Sequence, residues 1–504
     1  MFLRKKANKS GSYSIQVIEK VGRVNKVIKT IGCSKDSFEI GRLLEEGQKY
    51  IDKVRGQTSL PLYRSESDDW LAQVLSSIER IELVGPRLVL GKLYDDIGFG
   101  TIPNELLKHL VISRIINPSS KLKTVRDIEQ YYGLQYSVDS VYRFMDKVSS
   151  ILKDEIQQIS YTHTLKILGG VISMVFYDVT TIYFEAEKED ELRKSGFSKD
   201  GKHKHPQVVL GLLVGIDGYP LAYDIFPGNT YEGYTMLPIL DKFKQQYEIG
   251  QLIIVADSGL INKTNIEELQ SKDYDFIIGA RIRAETQIIK QKILSLNLKD
   301  NMHAVIEKPD KTRLIVHYSA RRAKKDHFNR QRGLQRLEKA LKTGKLGKAH
   351  INNKGYNKYL TLKGDVEVKI NYEKYEQDGK WDGLKGYVTN TTLDPQMLLK
   401  NYAELWKIEK AFRISKTDLR VRPIYHRLSD RIEAHICISF AAYKVYKELE
   451  RKLKINNASF SVTRAIELIK SLQQITINHR ISGRSKSAFL KPTTEHLELI
   501  NLFK

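Results

Sequence analysis

The chain has 504 residues, and its 83 lysines and arginines outnumber its 60 aspartates and glutamates, which gives a formal net charge of +23. Hydrophobic residues at 41% and charged residues at 28% are typical of a folded protein, and 32 glycines with 12 prolines exclude a collagen-like or low-complexity chain. No apolar run approaches the roughly 20 residues of a membrane span, and Cys33 and Cys437 are too far apart in sequence to indicate a disulfide framework.

The first residues contain no apolar export segment, so we expect a cytoplasmic protein in a reducing compartment. The positive charge predicts a polyanionic partner, because lysine and arginine gain affinity by neutralising phosphates. Nucleic acid is favoured over an anionic membrane surface, since no basic amphipathic segment carries a broad aromatic face.

The N-terminal third of the chain predicts two regions. Residues 1–67 contain two strand patterns, SYSIQVIEKV and RVNKVIKTIG, and then a helix, and this β/α region could contact DNA. Residues 68–168 read as helical throughout, and the part from 119 to 148 predicts two short helices around a turn near Gly133. That pair is compatible with a helix-turn-helix that binds DNA ends, or with a plain helical hairpin.

The remainder of the chain predicts an α/β domain with an interruption. Residues 169–280 carry short runs rich in Val, Ile and Tyr with helical segments between them, which is typical of a mixed sheet. Residues 281–394 predict a β-rich insertion around one very basic helix. Residues 395–440 predict a long helix, and residues 441–504 predict a C-terminal helical region.

Two aspartates follow apolar strand patterns. Asp178 ends VISMVFYD and Asp257 ends LIIVAD, and the carboxyl ends of strands form the edge at which α/β folds place their sites. On neighbouring strands the two carboxylates could share a hard cation such as Mg²⁺. Aspartate after a strand is also a common turn residue, so each aspartate alone favours a turn.

A third acidic residue, Glu409, lies in NYAELWKIEKAFRISKTDLRVRP. On one continuous helix Tyr402, Glu409 and Lys416 would share a stripe, because seven residues return to nearly the same face. Two interpretations of this stripe stay open. It is either a solvated ion-pair face, or a metal ligand flanked by DNA-contacting cations and aromatic side chains.

Together, Asp178, Asp257 and Glu409 resemble the acidic triad of bacterial insertion-sequence transposases of the DDE class. The resemblance is to the group with a Tyr–Arg–Glu–Lys signature and a β-strand insertion in an RNase H-like core. It is carried by four segments: Tyr177–Glu185, Pro206–Leu240, Val255–Leu269 and Tyr402–Ile436. The signature often has arginine three residues after the tyrosine, whereas this chain has Leu405, so a DNA contact of that arginine does not carry over.

The resemblance implies an RNase H-like (retroviral integrase-like) α/β core in which Asp178, Asp257 and Glu409 hold two Mg²⁺ or Mn²⁺ ions. It further implies cut-and-paste movement of an insertion sequence, in which water cuts DNA at the element's ends and the freed 3′-hydroxyl attacks target DNA. The implied partners are the terminal inverted repeats, the target DNA and a second copy of the chain in a homodimer. Residues in the matching segment that are implied to contact DNA are Tyr402, Trp406, Lys407, Lys410, Arg413 and Lys416.

Further candidates come from single features. The basic segment around Arg330, Arg332 and Arg336 favours DNA contact in a chain of this charge, although a charge run is usually a solvated face. Glu232 matches a family motif but stands in an ordinary turn pattern, and Trp381 either stacks on a flipped base or fills a core. His203 and His205 predict a basic loop near DNA rather than a metal site.

Two alternatives to a transposase remain at this point. A structure-specific nuclease on the same fold would cut branched DNA without joining it. A non-catalytic DNA-binding protein derived from a transposase would do neither, and the complete acidic triad argues against it.

Overall fold

The computed structural model describes the chain except residues 23, 56–73, 149, 186–187, 199–200, 202–204, 261, 353, 364–366, 480–483 and 504. The described residues form two compact units. The first consists of Met1–Gly85 and Leu468–Glu498, and the second of Pro86–Glu467 and Leu499–Lys504.

Sixteen strands and sixteen α-helices are described. The strands are β1 Phe2–Ala7, β2 Tyr13–Val21, β3 Val24–Ser34, β4 Ile78–Leu83, β5 Met174–Tyr183, β6 Gln207–Gly215, β7 Pro220–Pro227, β8 Ile253–Ala256, β9 Asp275–Ala280, β10 His303–Glu307, β11 Arg313–Tyr318, β12 Leu360–Lys363, β13 Glu367–Ile370, β14 Leu384–Thr389, β15 Gln473–His479 and β16 Arg484–Phe489. The helices are α1 Ser37–Arg55, α2 Lys92–Ile97, α3 Glu105–Ile116, α4 Lys121–Tyr132, α5 Val138–Lys147, α6 Ser150–Ile167, α7 Met236–Tyr247, α8 Lys263–Ser271, α9 Gln287–Leu294, α10 Ala320–Lys342, α11 Tyr372–Gly379, α12 Pro395–Ala403, α13 Trp406–Thr417, α14 Ser429–Ile455, α15 Val462–Ser471 and α16 Thr494–Leu502.

The first unit contains two small antiparallel sheets. Strands β1, β2 and β3 pair in chain order, and α1 packs on them by burying Ile40 and Leu43 against Ile15 of β2. The second sheet has the order β16-β15-β4, so it joins strands from opposite ends of the chain.

The second unit is built on an eight-stranded mixed sheet in the order β10-β11-β14-β9-β8-β5-β6-β7. Strands β5, β8 and β9 run parallel to one another, and the other neighbouring pairs are antiparallel. Every residue of β6 is buried, because helices cover both faces of a sheet whose central strands are continuous apolar runs.

Helix α14 is the central helix of the second unit. Nearly all of its residues from Ile432 to Leu449 are buried, and it packs against α2, α3, α5, α6, α13 and β7. Even Lys444 is fully buried there, and its ammonium group donates to the carbonyl oxygen of Ser160 and the hydroxyl of Thr164. A helix hydrophobic all round is typical of such an interior position.

The predicted insertion, residues 281–394, adds strands to the main sheet and also has a small core of its own. Strands β10, β11 and β14 extend the sheet beyond β9. The hairpin of β12 and β13 packs with α10 around Leu337, Tyr359 and Tyr375. The basic helix predicted here is α10.

Three predictions of secondary structure are wrong. Strand β4 lies in the stretch predicted to be wholly helical, and β15 and β16 lie in the predicted C-terminal helical region. The sequence QITIN does alternate apolar and polar residues, which is the period of a strand. The predicted long helix after residue 395 is two helices, α12 and α13, with a turn at Glu404 and Leu405.

The predicted division of the chain at residues 67, 168, 280, 394 and 440 stays a prediction, since compactness separates only the two units above. In the part of the chain that the structure describes, none of the helices has the length and hydropathy that crossing a bilayer requires.

Candidate active site

Asp178 lies within β5 rather than at its end, which corrects the prediction from the apolar run. Strand β5 continues to Tyr183, because its antiparallel pairing with β6 extends past its parallel pairing with β8. Strand β8 ends at Ala256, opposite Tyr177. Asp178 therefore stands level with the carboxyl end of the parallel neighbour, which is the functional edge that the sequence predicted.

Asp257 follows directly after β8 and is exposed. The backbone N–H of Ser258 donates to its Oδ1 at 2.6 Å, and the Tyr402 hydroxyl stands 3.4 Å from the same oxygen. Because Tyr177 and Ala256 are register partners, Asp178 and Asp257 are the next residues along two adjacent parallel strands. Two of the predicted acidic residues are thus neighbours.

Glu409 is exposed on α13, a helix that packs against β5. Lys416 shares this helix with Glu409, but Tyr402 is on α12 before the turn, so the three residues do not form one helical stripe. Tyr402 is instead buried, with 5% of its surface exposed, and its hydroxyl points to Asp257.

Tyr402 and Lys385 each interact electrostatically with two of the three carboxylates: Tyr402 with Asp178 and Asp257, and Lys385 with Asp257 and Glu409. Burial raises the pKa of Tyr402 well above its usual value, and Asp257 and Asp178 raise it further, so the phenol stays protonated as a hydrogen-bond donor. Burial and Arg322 lower the pKa of Lys385, whereas Asp257 and Glu409 raise it. The ammonium group of Lys385 therefore lies in the field of both carboxylates.

Lys385 is a residue that the sequence interpretation missed. It lies on β14, where its neighbour Gly386 pairs with Ala280 of β9, and its Nζ stands 4.5 Å from the centre of the Tyr402 ring. The available signal was a single lysine inside the otherwise apolar strand LKGYVT, which is an uncommon position for a charge.

A cavity of about 1130 Å³ opens beside Asp257. Six basic and four acidic side chains line it, and most of the basic ones form ion pairs with the aspartates of the wall. Arg281 and Lys385 are basic residues of the wall close to Asp257. Trp381 also lines it while packing against the main hydrophobic core, and the Arg283 guanidinium lies 6.0 Å from its ring. Trp381 is half-buried, so its position has features of both the core and the base-stacking interpretation.

The other predicted DNA contacts in the matching segment differ in exposure. Trp406 and Arg413 are exposed, and Lys416 is half-buried. Lys407 forms ion pairs with Asp217 and Glu404, and Lys410 forms one with Glu450.

On α10, Arg332 and Arg336 are exposed, but Arg330 is only 9% exposed. Its guanidinium donates to Asp382 at 2.8 Å and to the carbonyl oxygen of Tyr375 at 3.3 Å. Arg330 nevertheless lines the cavity beside Asp257, so a DNA contact of this residue stays a prediction.

Three weaker candidates complete the set. Glu232 lies beside the Asp257 loop, since its Oε2 is 3.7 Å from the position of a Cβ on Gly259. The ring of His205 lies 6.0 Å from that of Tyr183 at the end of β5. His203 lies outside the described residues.

The donor set fits a hard divalent cation, because all three acidic side chains offer carboxylate oxygens and no thiolate or imidazole. Within the described ranges, no three His, Cys, Asp or Glu side chains already stand close enough together to hold a metal ion. A cation would therefore have to draw Asp178, Asp257 and Glu409 together.

Residues 170–444, more than half of the chain, match the family model described as "Transposase DDE domain". The protein therefore belongs to the DDE transposase family, whose members generally use divalent metal ions. The solved cryo-EM structure of a piggyBac transposase synaptic complex with hairpin DNA is similar to the chain at 8% identity and a TM-score of 0.41, over 77% of this chain and 79% of that one. Comparison with curated proteins gave no match. The assignment to DNA recombination by transposition rests on the family match.

Proposed function

We propose that the protein is the transposase of an insertion sequence that moves by cut-and-paste. It would cut DNA at the terminal inverted repeats and join the freed 3′-hydroxyl ends to target DNA. The net charge of +23, together with Arg281 and Lys385 on the wall of the cavity beside Asp257, supports DNA as the partner. We further propose that a homodimer holds the two ends in the bacterial cytoplasm.

The sheet supports an RNase H-like core. The five strands β7-β6-β5-β8-β9 follow the chain order 3-2-1-4-5, with antiparallel pairs on one side of β5 and parallel pairs on the other. This is the arrangement expected of such a core, and β14, β11 and β10 of the insertion would be additions to it. The regions before and after the core remain proposed DNA-binding and supporting regions.

In this proposal Asp178, Asp257 and Glu409 hold two Mg²⁺ or Mn²⁺ ions. Two bound divalent ions neutralise the charge on the attacking and leaving oxygens of a phosphodiester. Ser258 N–H and the Tyr402 hydroxyl would orient the Asp257 carboxylate. The Lys385 ammonium would contribute positive charge at the same edge.

The reaction needs no protein nucleophile. Water adds to the phosphorus at the element's end and the bond to the 3′-oxygen breaks, which leaves a 3′-hydroxyl. That hydroxyl then attacks a target phosphate and displaces the target's own 3′-oxygen. The observation that carries the proposal is the placement of Asp178 and Asp257 on adjacent parallel strands beneath the helix that carries Glu409, in a chain of the DDE family.

The test is a strand-transfer assay with Mg²⁺ or Mn²⁺ on a duplex that carries the inverted repeats flanking the gene. The wild type is compared with Glu409→Gln and Asp257→Asn, and with Glu376→Gln, an exposed glutamate on α11, as the control. We expect joined products from the wild type and the control only, and near-normal DNA binding by all four proteins. Cleavage without joining would indicate the structure-specific nuclease, and binding without cleavage would indicate the non-catalytic DNA-binding protein.

A further inference from the structure

A second basic cleft, of about 320 Å³, lies in the second unit and is not part of the acidic site. It is formed by the end of α3, the start of α4, the segment between α13 and α14, and α14 itself. Its charged and titratable lining residues are Arg114, Lys121, Arg420, Arg422, His426 and His435. Among the described residues that line it there is no carboxylate.

Two of these cations are buried, and neither forms an ion pair with a carboxylate of the residues that the structure describes. Arg114 and Lys121 are each 7% exposed. The Lys121 Nζ stands 3.1 Å from His435 Nδ1, and Arg114 reaches the same nitrogen at 3.4 Å and the carbonyl oxygen of Arg420 at 3.4 Å. His435 Nε2 lies 2.9 Å from the carbonyl oxygen of Val421. Nε2 therefore carries the proton, and Nδ1 accepts from the two cations in a neutral ring.

In the absence of a bound anion, these buried positive charges lower the stability of the folded protein. Burial lowers the pKa of Lys121 well below its usual value and that of Arg114 to about 10, and Arg114 further lowers the pKa of Lys121. Burial, followed by Lys121, Arg431 and Arg114, lowers the pKa of His426 to about 4. A buried cluster of one sign is costly unless an opposite charge is supplied, so the cleft favours an anion from a binding partner.

The form of the cleft matches a phosphate within a nucleotide chain. Ser119 and Ser120 line it at the start of α4, whose first backbone N–H groups point out of the helix end. Tyr425 lies on its wall with 73% of its surface exposed, which suits stacking on a base or sugar.

The cleft also has a connection to the proposed catalytic strand. The Arg422 guanidinium lies 5.6 Å from the ring of Tyr183, the last residue of β5. Tyr183 follows Asp178 by five residues on this strand, a distance of about 16 Å at 3.3 Å per residue. A phosphodiester held near Arg422 would therefore lie within a short DNA segment of the acidic edge.

We propose that this cleft, with Arg114 and Lys121 at its base, binds one backbone phosphate of the DNA on which the enzyme acts. The proposal rests on the proposed function only for the identity of the DNA. It assigns the phosphate contact mainly to Arg114 and Lys121 of the helical region 68–168, which lie outside the four segments that carry the family resemblance.

The first experiment measures duplex DNA binding by the full chain without metal, across a series of salt concentrations, for wild type and Lys121→Met. We expect Lys121→Met to weaken binding by about tenfold or more, because it removes a desolvated charge-assisted contact. The slope of log affinity against log salt should fall by about one phosphate equivalent. Lys123→Met is the matched control, since Lys123 is exposed on the same first turn of α4.

Thermal unfolding of the same variants without DNA separates a binding role from a structural one. Lys121→Met should unfold at the wild-type temperature or higher, because it removes an unpaired buried cation. A lower midpoint together with unchanged affinity and salt slope would overturn the proposal. Tyr425→Ala keeps the test decisive if Lys121→Met does not fold, since it should weaken DNA binding about fivefold or more without changing the salt slope. Unchanged binding by Tyr425→Ala in that case would equally overturn the proposal.

Inorganic phosphate distinguishes a free anion from DNA. Phosphate should raise the thermal midpoint of the wild type above that in chloride at equal ionic strength, and Lys121→Met should lose this effect. Protection by phosphate with no change in DNA affinity on Lys121→Met would make the cleft a free-phosphate site and refute the DNA assignment. Failure of the strand-transfer assay is independent, because it would leave a Lys121-dependent loss of DNA binding intact.

Discussion

Gly279 of β9 provides a sharp test of how the sheet positions Asp257. A Cβ on this residue would stand 2.6 Å from the Tyr402 hydroxyl and 3.1 Å from the backbone nitrogen of Ser258. These are the two groups that contact Asp257 Oδ1. Gly279→Ala must therefore displace both groups that orient the proposed metal ligand.

The two distances indicate how much folding free energy Gly279→Ala should cost. Overpacking at a site of this kind costs about 1–3 kcal/mol of folding free energy. Tyr402→Phe alone removes one buried hydrogen-bonding hydroxyl and should cost about 0.5–1.5 kcal/mol. In the double variant the 2.6 Å contact is gone and the contacts with Ser258 remain, at 3.1 Å to its nitrogen and 3.3 Å to its Cβ. The combined loss should therefore be smaller than the sum by about 0.5 kcal/mol or more.

The assays are thermal unfolding and strand transfer on four proteins: the wild type, Gly279→Ala, Tyr402→Phe and the double variant. Gly279→Ala should lower the thermal midpoint by a few degrees, since about 1 kcal/mol shifts a domain of 150–250 residues by roughly 2–4 °C. Strand transfer should fall by about a hundredfold, as expected when a catalytic group moves by about 1 Å. Gly250→Ala is the control, because a Cβ there meets nothing within 4 Å. Additive losses in the double variant, or full activity of Gly279→Ala, would refute the reasoning.

Three further predictions follow from burial. The double variant Arg332→Gln/Arg336→Gln should weaken DNA binding and lower the slope of log affinity against log salt by about two phosphate equivalents. Arg330→Gln should instead destabilise the protein by about 3–5 kcal/mol in thermal unfolding, because Asp382 loses a buried partner. Lys153→Met should cost about 3–5 kcal/mol, since buried Lys153 stands 2.8 Å from Asp224 and 2.9 Å from Glu433. Lys242→Met should cost only about 0–1 kcal/mol although its pair with Asp154 has the same 2.8 Å length, because that pair is exposed; equal losses would contradict this argument. Burial, together with nearby Lys444 and Arg451, lowers the pKa of His163 to about 3. Stability should therefore fall as the pH drops from about 6.5, where the unfolded histidine protonates, towards 3. His163→Gln should flatten the plot of thermal midpoint against pH, and an unchanged plot would contradict the buried neutral state.

The sequence was sufficient to predict the central strands and to place Asp178 and Asp257 on neighbouring strands. Strands β5 and β6 are continuous apolar runs because both faces of the sheet are covered, and that pattern is visible locally. The expectation that both aspartates lie at one edge of the sheet came from where the apolar runs stop. The inference worked for β8 and misjudged β5, because the longer β6 strand carries β5 beyond its parallel partner.

Features that depend on tertiary contacts could not be predicted from the sequence. Helical periodicity cannot detect the turn at Glu404 and Leu405, since the apolar spacing continues across it. Arg330 looks like an ordinary surface cation in sequence, and Lys385 is distinguished only by its position in an apolar strand. The packing of the insertion shows Arg330 bound to Asp382 and Lys385 in the field of Asp257. The pairing of β4 with β15 was missed for the same reason, as each strand is short and the partners are distant in the chain.

That pairing has a consequence during protein synthesis. The ribosome completes β4 about 390 residues before β15, and at 5–20 residues per second the nascent strand waits roughly 20–80 s for its partner. The sheet of β16, β15 and β4 therefore forms only when translation is nearly finished, whereas the sheet of β1, β2 and β3 can form early. A chain cut short before β15 would keep the whole acidic site yet leave the edge of β4 unpaired and prone to association with other chains.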